Sequence, residues 1–77
     1  MATITIYHAF KGPKPQFSQV HESEFDVQRK RIKTLSSVID PSIYDRIESL
    51  ALNAMGEREF ETGRLHLWKF EIKEDVE

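Results

Sequence analysis

Three histidines, His8, His21 and His66, carry the side chains with the most useful chemistry near neutral pH, because imidazole exchanges protons there and ligates divalent metals. They stand far apart in the chain and match no ligand spacing such as His-Glu-x-x-His. No metal site and no cofactor is therefore read from them. His8 and His66 fall in segments that read as strands and can meet on adjacent ones. With Glu59 opposite, they would have the parts of an acid-base site of ribonuclease type. The plainer account is one half-buried strand histidine and two on the surface.

The run Arg29-Lys30-Arg31-Ile32-Lys33 is the basic cluster of the chain. On a helix, Arg29, Lys30 and Lys33 would face outward, where a phosphate backbone can lie. The simpler reading is a solvated helix face, since Glu22, Glu24 and Asp26 come first and bases after acids complement a helix dipole. Other chemistry is missing. Gly12, Gly56 and Gly63 are isolated and build no phosphate loop, Ser36-Ser37 has no local base, and Glu57, Glu59, Glu61 and Glu71 alternate as a solvated strand face does. No residue is read as catalytic.

The elements that would position these groups follow from hydrophobic period. Thr3 to Phe10 alternates, with Ile4, Ile6, His8 and Phe10 on one face and Thr3, Thr5, Tyr7 and Ala9 on the other, which predicts a half-buried strand over 2–10. Lys11-Gly12-Pro13-Lys14-Pro15 ends it. Ser23 and Asp26 have the form of a capping box. Phe25, Gln28, Ile32, Leu35 and Ile39 follow at spacings of three and four, predicting a helix over 24–38. A second helix over 41–55 is signalled more fully: Asp40 as cap, Pro41 at the first position, a stripe of Ile43, Ile47, Leu50 and Ala54, and Gly56 as stop. Two strands, 57–61 and 64–73, then flank a turn at Thr62-Gly63 that pairs Glu61 with Arg64, Phe60 with Leu65 and Glu59 with His66.

The expected fold is thus α+β, a two-layer β-α-α-β-β domain with a helical hairpin on a small three-stranded sheet. The expected core is Ile4, Ile6, Phe25, Ile32, Leu35, Ile43, Ile47, Leu50, Trp68 and Phe70. One feature strains this scheme: Leu65 and Leu67 have one strand parity while Trp68, Phe70 and Ile72 have the other. Either a bulge switches the face, or Tyr7, Leu65 and Leu67 form an apolar patch on the open face of the sheet, rimmed by Thr3, Thr5 and Lys69. Such a patch would receive a protein partner or a second copy of the chain. The element order resembles that of the RelE-like ribonuclease toxins, and two helices before a hairpin resemble a winged-helix reader. No residue is carried across from either.

Composition bounds the rest. Seventy-seven residues make one domain near the lower size at which a single core suffices. Without cysteine, neither disulfides nor thiolate metal ligands contribute, which reads as a cytoplasmic protein. A net charge of −2 does not steer the molecule as a whole toward nucleic acid or anionic lipid, and no segment reads as a membrane span. The functional expectation is a small non-enzymatic protein-binding module, a regulator or inhibitor of the kind bacteria and phages encode. A nucleic-acid-associated protein using the 29–33 cluster is the alternative, and a small ribonuclease-like toxin the third reading.

Overall fold

The computed structural model describes residues 2–51 and 56–74. Five strands and one helix follow in the order β1 (Ala2–Phe10), β2 (Ser18–Asp26), β3 (Arg31–Ile32), α1 (Pro41–Leu50), β4 (Gly56–Thr62) and β5 (His66–Glu74). All the strands join one antiparallel sheet in the order β3-β2-β1-β5-β4. The sheet curls into a half-barrel. The expected α+β sandwich with two helices and three strands is therefore replaced by a mostly-β fold, and the likeness of element order to toxins and winged helices lapses with it. Since α1 links the two edge strands, it crosses from one side of the sheet to the other over part of the concave face.

The strand over 2–10 forms as its alternation requires. Ala2, Ile4 and Ile6 are fully buried on the concave face, in register with Glu74, Ile72 and Phe70 of β5. The hydrophobic core gathers these with Phe25, Ile32, Ile39, Ile43, Tyr44, Ile47 and Phe60, and Leu50 and Trp68 pack against it half-buried. Nine of the ten expected core residues are there. Leu35 is not; it is 59% exposed.

The helix expected over 24–38 does not exist. Its residues form the end of β2, a turn, the short β3 and an irregular segment leading to α1. Phe25 and Ile32, taken as two turns of one helix apart, are cross-strand partners instead. The capping signals serve the turn: the Asp26 carboxylate accepts from the backbone N–H groups of Gln28 and Arg29 at 3.0 Å, and Ser23 Oγ accepts from Thr34 N–H at 2.9 Å. Lys30 closes this turn in the left-handed region at φ +59°.

Helix α1 begins as the sequence dictates. Asp40 Oδ1 accepts from Ser42 N–H at 2.9 Å and from Ser42 Oγ at 2.8 Å, and Pro41 occupies the first turn. These two bonds, the backbone one first, hold the Asp40 carboxyl below its ordinary value. Ile43, Tyr44 and Ile47 face the sheet. Two polar straps tie the helix to the chain before it: Ser36 N–H donates to Tyr44 Oη at 2.6 Å, and Ile32 N–H to Glu48 Oε2 at 3.0 Å. The expected stripe beyond Ala51 lies outside the described residues. Gly56, expected to stop the helix, opens β4 at φ +123°.

The β4–β5 hairpin also differs from the expected register. Its loop is Gly63–Leu65, with Gly63 at φ +64°, so Thr62 pairs with His66, Phe60 with Trp68 and Glu59 with Lys69. Relative to a two-residue loop, every partner moves by three positions. The parity conflict resolves without a bulge in β5: Trp68, Phe70 and Ile72 share the concave face, Leu67 points the other way, and Leu65 belongs to the loop. The irregularity in the sheet falls in β2, where the register against β1 shifts between Ile6 and Tyr7 and Val20 is passed over.

Candidate functional site

Because α1 is short, it covers only the half of the concave face around Ile4, Ile6, Phe70 and Ile72. Past that point the same face continues along β1 and β5 into His8, Phe10, Trp68 and His66, at the end of the sheet where the β4–β5 loop lies. The register sets His8 beside Trp68 and Phe10 beside His66. The two histidines, 58 residues apart in sequence, then meet diagonally across the strand pair, and His8 Nε2 lies 2.8 Å from His66 Nδ1. One of these nitrogens carries the proton of the hydrogen bond and the other accepts it.

Two further rings, Phe10 and Trp68, pack against this pair. His8 meets the Phe10 ring edge-on at 5.0 Å between centroids, Trp68 at 4.7 Å and His66 at 5.1 Å, while Phe10 lies 5.5 Å from His66. Trp68 is fixed in turn, its indole N–H donating to Thr62 Oγ1 at 2.8 Å. The outer margin is apolar. Phe10 is 65% exposed and Leu65 63%, and Lys11 N–H donating to the Leu65 carbonyl at 2.9 Å holds the two segments together.

Burial, and secondarily the charge of His66, holds the His8 pKa below the usual imidazole value. In the unfolded chain His8 takes up a proton near its ordinary pKa of 6.5, whereas in the folded state it does so only at lower pH. The unfolded state thus binds more protons in that interval, so this contribution to stability is complete above the ordinary value and declines as the pH falls below it. The melting temperature is expected to drop between about pH 7.5 and 5.5, and less so in His8→Gln. Equal slopes in the two proteins would show that His8 is not responsible.

The ribonuclease arrangement does not assemble. Glu59 pairs with Lys69 on the convex face, on the opposite side of the sheet from the histidines, and Thr62 takes the place across from His66. Among the described residues no carboxylate bonds either ring of the pair. His21 is apart from both and structural: its Nε2–H donates to the Thr34 carbonyl at 2.6 Å, and its ring lies edge-on to Tyr44 at 6.1 Å.

The patch expected from Tyr7, Leu65 and Leu67 is divided. Tyr7 and Leu67 lie on the convex face, half-buried, where the segment between β1 and β2 returns over them. The Lys69 ammonium sits 4.8 Å from the centroids of both Tyr7 and Phe17, and Pro15 and Leu67 line a cleft with Glu59, Phe60 and Glu61. Of the three, Leu65 alone is exposed. Phe10 was missed by sequence reasoning because its parity assigns it to the core; the signal was its place as the last strand residue before Lys11-Gly12-Pro13, where the sheet runs out.

The basic residues change setting as well. Arg29 and Lys30 occupy the β2–β3 turn and Lys33 follows β3, so they lie at the opposite end of the sheet from the histidines. They are not on a helix face. Lys33 pairs with Glu24 at 3.3 Å, and Arg29 approaches Asp26 at 4.0 Å. Among the described residues no helix is long and apolar enough to cross a membrane, and no group of three or more acidic, histidine or cysteine side chains is disposed to hold a metal. Comparison with protein-family models, with curated proteins and with solved structures gives no match to this chain.

Proposed function

We propose that this chain is a small protein-binding module that regulates or inhibits a larger partner without catalysing a reaction, and that it docks through the apolar end of the sheet. The observation that carries this reading is the exposure of two large apolar residues, Phe10 and Leu65, at the end of the sheet where Lys11 N–H bonds the Leu65 carbonyl. Large apolar side chains on a rigid element supply the anchors of protein interfaces, since they lose little conformational freedom on binding. The nucleic-acid reading through Arg29, Lys30 and Lys33 has less behind it, because Lys33 and Arg29 already lie against carboxylates.

The test compares wild type with Phe10→Ser/Leu65→Ser. Both are immobilised and exposed to lysate of the native host, the retained protein is identified by mass spectrometry, and its binding is remeasured with purified components. The double variant should keep the wild-type melting temperature within a few degrees and lose on the order of tenfold or more in affinity. Equal binding by the two proteins would overturn the assignment of this surface. A dimer of the chain itself, lost in the variant, would identify a second copy as the partner.

A further inference from the structure

The geometry points to a binding site for a tetragonal divalent transition-metal ion, Cu²⁺ above all, between Nε2 of His8 and Nδ1 of His66, with water completing the coordination. Both rings project from a rigid, centrally placed strand pair, so their separation is set by the sheet and not by loops. An imidazole nitrogen ligates such an ion at about 2.0–2.1 Å. In the hydrogen-bonded pair the two nitrogens meet head-on, with 2.8 Å between them and 5.1 Å between ring centroids, so each ring turns before it can ligate a shared ion. Two imidazoles with water completing the shell make the tetragonal N,O coordination preferred by Cu²⁺ and Ni²⁺, whereas a closed tetrahedral Zn²⁺ site needs two further protein ligands. Cu²⁺ is in addition the strongest binder of nitrogen donors in the divalent series.

Loading the site moves no strand. Each neutral imidazole carries one proton, so shifting the pair to the tautomers His8 Nδ1–H and His66 Nε2–H frees both facing lone pairs without net loss of a proton. Aiming those lone pairs at a common point takes a turn about χ2, which is a soft torsion in histidine. Phe10 and Trp68 flank His8, and neither histidine is fully buried, so solvent supplies the remaining ligands.

Trp68, the single tryptophan, reports on the site because its ring lies 4.7 Å from His8 and bound Cu²⁺ quenches indole emission. Copper(II) chloride titrated into the purified chain at neutral pH should quench the fluorescence with a break at one equivalent, reversed by a chelator. Electron paramagnetic resonance of the loaded protein should show two imidazole nitrogens. His66→Gln should lose the break and His21→Gln should keep it. A quench without a break, one that survives His66→Gln or disappears in His21→Gln, or a resonance spectrum without two coordinated nitrogens would overturn the site. The spectrum of the wild-type protein decides the matter even if His66→Gln fails to fold.

Discussion

Phe70→Ala is expected to destabilise the protein by about 3–5 kcal/mol. Phe70 is 1% exposed, stands in register with Ile6 on one side and Arg58 on the other, and meets the Phe60 ring at 6.4 Å between centroids. The strands that hold these neighbours are paired along their length, so the space left by the ring cannot close by their approach. A domain of this length has about 4–12 kcal/mol in total. The variant should therefore unfold at a much lower urea concentration, with much of the population unfolded near body temperature. A loss below about 1 kcal/mol would mean that the centre of the concave face is not packed as described.

Ile47→Ala is expected to cost about 2–5 kcal/mol, and to act on more than the core. Ile47 is fully buried and is the residue through which the single helix among the described elements reaches the sheet. The same helix carries Tyr44 and Glu48, which accept from the N–H groups of Ser36 and Ile32. Loosening it exposes those donors and weakens the hold on β3, an edge strand of two residues that otherwise pairs with β2 alone. Amide hydrogen exchange should show lost protection over α1 and at Ile32 beyond that of the β1–β5 pair. Ser49→Ala, on the exposed side of the helix, should change stability by no more than about 0.5 kcal/mol.

The sequence carried some of this fold openly and concealed the rest for identifiable reasons. β1 was legible because Ile4 and Ile6 alternate with threonines, and the start of α1 because Asp40-Pro41 has a direct physical use there. The strand over 18–26 was hidden because two of its inward positions, His21 and Ser23, are polar and erase the period of two. Phe25 and Ile32 then sit seven apart, a spacing that two helical turns and a short hairpin satisfy equally. Asp26 deepened the ambiguity, since a carboxylate that binds backbone N–H groups two and three residues on serves a turn as readily as a helix start. In the last hairpin, glycine at a positive φ was read correctly, but the loop holds three residues and not two, and that displaced every partner.

The candidate site was legible in one respect: both histidines were placed on strands that could be neighbours. Which groups surround them depended on the β4–β5 register and on how far a single helix reaches over the sheet. Local sequence specifies neither. Glu59 was thereby misplaced, and Phe10, on the inward face by its parity, stands exposed at the open end.

The central claim is that one sheet runs from β3 to β4 and, by its register, brings residues distant in sequence together at its open end. A single nuclear Overhauser spectrum of the labelled protein tests it most directly. Cross-strand backbone contacts are expected between Phe25 and Ile32, between Thr5 and Glu71 and between Phe10 and His66, together with contacts between the rings of His8 and Trp68. Sequential contacts of helical type through residues 24–38, or a β5 register that leaves His66 away from Phe10, would contradict it.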